Sequence, residues 1–174
     1  MNSMKKFLCI LLILPIVSIA QDCVVKKTID PYTKEVKVST GFMDFNKGIN
    51  NFLLSIDGTK TDIDFFVALS KSTNAPCFDN SSTLSIVFEG TRSKANFRNT
   101  GSMNCEGLFH FIFRNNQQTN SYLQRLSTMK VKSFLFTGSN GKIKEVLFAE
   151  EHQETLMQKV SCLVAEAKAL LSQQ

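Results

Sequence analysis

The sequence predicts an α+β fold: a mainly antiparallel β-sheet of about eight strands, in hairpins and a meander, with a long C-terminal helix packed on it. Three observations predict it. Short runs that alternate apolar and polar residues recur along the chain, separated by turn residues, which is the period of antiparallel strands. Three pairs of such runs are joined by Asp30-Pro31-Tyr32-Thr33, Asp57-Gly58-Thr59-Lys60 and Gly138-Ser139-Asn140-Gly141, all suited to hairpin turns. Near the end, Leu156, Val160, Leu163, Val164, Ala167, Leu170 and Leu171 recur at steps of three and four, one apolar stripe of a helix.

The chain opens with Lys5 and Lys6, an apolar run from Phe7 to Val17, and Ser18-Ile19-Ala20 before Gln21-Asp22. A positive start, a short apolar middle and small residues before the junction are the parts of a secretory signal peptide. Residues 1–20 are therefore expected to be removed after Ala20, leaving residues 21–174 as a single globular domain. The apolar run is shorter than the roughly 20 residues a membrane span needs, and no second long run follows, so no transmembrane segment is expected after cleavage. Cleavage takes Lys5, Lys6 and Cys9 with it and leaves 18 basic side chains, 15 acidic ones and four cysteines. A small positive charge spread without blocks speaks of solubility, and no nucleic-acid partner is expected.

Cys23 to Ile29 and Lys34 to Thr40 are the arms of the first expected hairpin, with Pro31 preset for its turn. Gly41 to Gly48 reads as a loop. Ile49 to Ile56 and Thr61 to Ser70 form the second hairpin, where Asp57-Gly58 accepts the positive φ of a tight turn. Along its second arm Ile63, Phe65, Val67 and Leu69 share one face, and Asp62, Asp64, Phe66 and Ala68 the other. The Ser-, Asn- and Pro-containing stretch from Lys71 to Ser82 is the expected break between two halves of the domain.

Residues 83–114 read as a three-strand meander: an arm with Leu84, Ile86 and Phe88, a turn at Glu89-Gly90-Thr91, a shorter arm from Ser93 to Arg98, a polar loop, and the strand from Cys105 to Arg114. In that strand Phe109, Phe111 and Phe113 face one way and Leu108, His110 and Ile112 the other. Two apolar faces predict a strand inside a sheet covered on both sides. Ser121 to Met129 reads as a short helix, and Val131 to Thr137 with Lys142 to Ala149 as the third hairpin. Glu150 and Glu151 suit the positive end of the last helix dipole.

Four cysteines in an exported chain imply two disulfides. Cys162 falls about 140° from the centre of the helix's apolar stripe, at about 100° per residue, so its partner is expected outside the stripe. Cys77 and Cys105 precede the first and third arms of the meander, at one end of the sheet. The expected bridges are therefore Cys77 with Cys105 and Cys23 with Cys162. No Cys-x-x-Cys spacing supports a zinc ribbon or a thioredoxin-like site.

Few other residues suggest chemistry. His110, on an otherwise apolar strand face, reads as a hydrogen-bonded structural residue before a ligand. His152 lacks the His-Glu-x-x-His pattern of zinc hydrolases. Asp62 and Asp64, with Asp57, point to solvated carboxylates beside a hairpin, since calcium takes roughly six or more oxygens. They are too local for the facing pair of a glycosidase. Ser139 sits in a turn and not in a Gly-x-Ser-x-Gly elbow. Phe109, Phe111 and Phe113 match the aromatic strands on which RNA-binding sheets stack bases, but without clustered lysines. Asn80-Ser81-Ser82 fits the glycosylation sequon.

In composition, a short leader followed by Lys-, Asn- and Phe-rich strands is similar to small envelope proteins of bacteria, a likeness that assigns no residue roles. No catalytic site, metal or cofactor is expected. The expectation is an exported, non-catalytic binding or structural component of the periplasm, the envelope or the extracellular medium, with an unidentified protein or an apolar small molecule as partner. The alternative is a carrier of an apolar ligand in a Phe-lined cavity between sheet and helix, motivated by 15 phenylalanines. A cleft joining Asp62, Asp64 or His110 to an adjacent basic group would point to an enzyme instead.

Overall fold

A computed structural model describes residues 23–45, 51–70 and 75–172 of the chain, so the expected leader lies outside the described residues. The first hairpin pairs β1 (Lys26–Ile29) with β2 (Val36–Ser39). Its turn closes on the Asp30 carboxylate, which accepts the backbone N–H groups of Tyr32 and Thr33 at 2.9 and 2.7 Å. Those donors, Thr33 first, hold the Asp30 carboxyl below the usual carboxylate range because they favour its charged form. Within the stretch that reads as a loop, Met43–Phe45 forms β3, a segment too short to show a period. Its strand character comes from pairing, Met43 with Leu54 and Phe45 with Phe52.

The second hairpin joins β4 (Phe52–Gly58) to β5 (Asp62–Leu69). Its turn is not at Asp57-Gly58, which continue β4 opposite Asp64 and Ile63. Thr59 makes the turn instead, its hydroxyl accepting the N–H groups of Thr61 and Asp62. Gly58 serves packing: a Cβ there would stand 2.8 Å from the Cβ of Ala167 and 3.0 Å from Cγ2 of Val38.

The remaining elements are β6 (Thr83–Phe88), β7 (Lys94–Arg98), β8 (Leu108–Arg114), α1 (Ser121–Thr128), β9 (Val131–Thr137), β10 (Ile143–Leu147) and α2 (Glu150–Leu171). Ten strands among the described residues, and not about eight, make two antiparallel sheets. The larger has the order β1-β2-β4-β5-β8, with β3 also paired to β4, and the smaller the order β10-β9-β6-β7. The stretch from Lys71 to Ser82 thus precedes a change of sheet.

The expected meander does not form. β6 and β7 belong to the smaller sheet, while β8 returns to the larger one and pairs with β5, Phe111 opposite Phe65. Nor is β8 a central, doubly covered strand. It ends the larger sheet, with Phe109, Phe111 and Phe113 buried but Leu108 48% and Ile112 39% exposed. Its outer backbone edge is met by side chains and one backbone N–H from a loop. The Asn104 amide spans the Leu108 N–H and C=O, Asn99 Oδ1 accepts from the His110 N–H, and the Thr100 N–H donates to the His110 carbonyl. These groups take the place of a neighbouring strand and satisfy an edge that would otherwise invite pairing.

The inner faces of the two sheets and α2 share one continuous buried cluster. From β8, Phe109 meets Phe78 and Phe111 meets Phe97 at ring-centroid distances of 5.1 and 4.8 Å. Phe45, Phe52, Phe134 and Phe148 form a second group of rings 4.9 to 6.1 Å apart, mostly edge to face. The helix α2 adds Leu156, Val160, Leu163, Ala167 and Leu170 against β2, β4 and β9. The rings of these two groups are thus packed on one another.

Two disulfides are in place. Cys77 lies 4.0 Å from Cys105 between Cα atoms, next to an antiparallel bridge of Phe78 with Asn104, so this crosslink joins the lead-in of β6 to that of β8, across the two sheets. Cys23 lies 5.4 Å from Cys162 and fastens the start of the described chain to α2.

Candidate functional site: the outer face of the larger sheet

Alternation along β2, β4, β5 and β8 sends one set of side chains into the core and the other onto the outer face of the sheet. That outer face carries a belt of paired charges. Asp57 is buried and meets the Lys37 ammonium at 2.6 Å, the Ser55 hydroxyl at 3.1 Å and the Ser39 hydroxyl. Across the strand pair stands Asp64, 2.7 Å from Nε2 of His110, whose Nδ1 is 2.9 Å from the Thr100 hydroxyl. Asp62 pairs with Arg114 at 2.7 Å.

The structure therefore brings Asp64 to His110 and Asp62 to Arg114, but as separate pairs along the outer strand face. Each carboxylate has its own partner. Among the described residues, no group of three or more Asp, Glu, His or Cys is placed to hold a metal ion.

Thr100, His110 and Asp64 form a row of hydroxyl, imidazole and carboxylate. The Thr100 hydroxyl also lies 3.2 Å from the His110 carbonyl. In neutral His110, Nε2–H donates to Asp64 and Nδ1 accepts from Thr100. Both ring nitrogens are thus engaged, and the row anchors the loop after β7 to β8.

Beside this belt is an apolar hollow of about 390 Å³. Phe66, Ala68, Leu108 and His110 make its floor, Phe42 bounds it beyond β4, and Gly101, Ser102 and Asn104 bound it beyond β8. The Phe66 and His110 rings stack with centroids 4.4 Å apart and planes 3° from parallel. Sequence reasoning missed Phe42, Thr100, Lys37 and both serines. Phe42 and Thr100 lie in connections without periodicity, and only the pairing of strands carries them to this face. A usable signal was the alternation of β5, which already placed Asp62, Asp64, Phe66 and Ala68 together.

Other residues singled out from the sequence have structural places. The His152 ring lies edge-on to Phe45 at 5.5 Å. The Ser139 hydroxyl donates to the Cys77 carbonyl at 3.1 Å. Phe109, Phe111 and Phe113 face the core and present no platform to solvent. Asn80 is exposed in a turn in which Asp79 accepts from Ser81 and Ser82. Those donors, the Ser81 hydroxyl first, hold the Asp79 carboxyl below the usual range.

Among the described residues, no helix is long and apolar enough to cross a membrane. No family model, no curated protein and no solved structure matches this chain.

Proposed function

We propose that the protein is an exported, non-catalytic binding component of the periplasm, the envelope or the extracellular medium, and that it recognises its partner with the outer face of the larger sheet. One observation carries this reading. Phe42, Leu53, Leu108 and Ile112 are all exposed around a belt of fixed ion pairs on a single face, whereas single exposed apolar residues need no explanation. Two disulfides support export, because such bonds persist in oxidising compartments. The Thr100–His110–Asp64 row is assigned a holding role, since the Thr100 N–H and hydroxyl both engage the His110 carbonyl.

The test uses protein from its source cells. The exported fraction should contain a chain beginning at Gln21, and material should co-purify with it. That material should be lost from the Leu108→Lys/Ile112→Lys variant, which leaves the core untouched. A full-length chain retained in the cytosol, or equal recovery with the variant, would overturn the reading.

A further inference from the structure

We propose that the hollow on the outer face binds a compact, uncharged, apolar molecule, an inference that rests on this face being the recognition surface. The hollow exists because Ala68 follows Phe66 on the same side of β5, and a methyl group fills little of the space that a large side chain would take. At about 390 Å³ it falls inside the usual range of small-molecule sites, roughly 300–1,000 Å³.

Its chemistry selects against charge. The lining offers rings and aliphatic surface: Phe66 stacked on His110 in the floor, and Phe42 at the rim, 64% exposed. Both imidazole nitrogens of His110 are already engaged, by Thr100 and Asp64, and the Asn104 side-chain amide is spent on the β8 edge. None of the described residues lining the hollow is lysine or arginine. A carboxylate, sulfonate or phosphate entering it would lose water without gaining a counter-charge from any of the described lining residues. An uncharged molecule loses only apolar contact with water, which favours binding. Ser102 is among the lining residues, and a serine there suits a ligand with a single hydroxyl or carbonyl group.

The test is a fluorescence titration of the oxidised exported chain with N-phenyl-1-naphthylamine, which is uncharged, against anilinonaphthalene sulfonate, which carries the same rings and a negative charge. The neutral dye should saturate one site and bind at least about tenfold more tightly than the sulfonate. Ala68→Phe, which fills the hollow, should weaken the neutral dye by at least about tenfold, and Phe42→Ala should weaken it by several-fold. Circular dichroism of both variants should match the wild type. If Ala68→Phe fails to fold, Phe42→Ala decides, because that side chain is exposed. Absent saturation, equal affinity for the two dyes, or unchanged affinity in the variants would overturn the proposal. Failure here while the Leu108→Lys/Ile112→Lys variant still loses its partner would overturn the ligand class alone. Failure of both would overturn the choice of surface.

Discussion

Replacing Gly58 with alanine adds one methyl group at the point where α2 lies closest to the larger sheet. That methyl would sit 2.8 Å from the Cβ of Ala167, 3.0 Å from Cγ2 of Val38 and 3.6 Å from Cδ2 of Leu163. The first distance is well inside van der Waals contact, and neither the strand backbone nor the helix can yield as a flexible side chain would. Overpacking of this kind costs roughly 1–3 kcal/mol. A loss of about 2 kcal/mol would lower Tm by about 4–8 °C for a chain of this length.

Ala167→Gly removes the opposing methyl. By itself it should cost about 2 kcal/mol, from helix propensity and a lost buried methyl. In its background, Gly58→Ala should cost less than half of what it costs alone, the remainder coming from Val38. Urea unfolding of the oxidised proteins measures both singles and the double. A coupling of at least about 1 kcal/mol is expected, and additivity within about 0.5 kcal/mol would refute the close approach of helix and strand.

Three other outcomes follow from the packing and the charges. Phe111→Ala should cost about 3–5 kcal/mol in the same assay, and its sequence neighbour Ile112→Ala less than about 1 kcal/mol, because one faces the core and the other solvent; similar costs would contradict the one-sided burial of β8. Opening Cys77–Cys105 by Cys→Ser replacement should lose at most about 3–4 kcal/mol, and opening Cys23–Cys162 about 5, from loops spanning 28 and 139 residues. A free thiol at any of the four positions in the exported protein would contradict the pairing. For Asp79, a depressed folded-state pKa means its hydrogen bonds stabilise the fold above the ordinary value of 3.8, and that contribution disappears as pH falls through the lower folded-state value. Carboxyl NMR titration should show the Asp79 midpoint rise in Ser81→Ala; an unmoved midpoint would show that the hydroxyl is not the main cause.

Local pattern was enough for much of this molecule. Antiparallel strands with a long C-terminal helix, the hairpins β1–β2 and β9–β10, the short helix α1 and the buried stripe of α2 all rest on the period of apolar residues and on turn chemistry between near neighbours. Such signals end where the partner is distant in sequence. β3 has too few residues for a period, Gly58 reads as a turn residue until Ala167 is seen lying on it, and β8 looks doubly buried because its outward Leu108 and Ile112 are as apolar as core residues.

Sequence by itself determined most of the strands, both helices and the buried stripe of α2, because those properties arise within a few neighbouring residues. Only the tertiary structure decided which sheet β8 joins, that loop amides from Asn99 and Asn104 close its edge, and that Phe42, Phe66, Ala68 and Leu108 surround one hollow. These depend on contacts between segments tens of residues apart, whose free energies come from shape and from satisfied backbone groups. No local period records them.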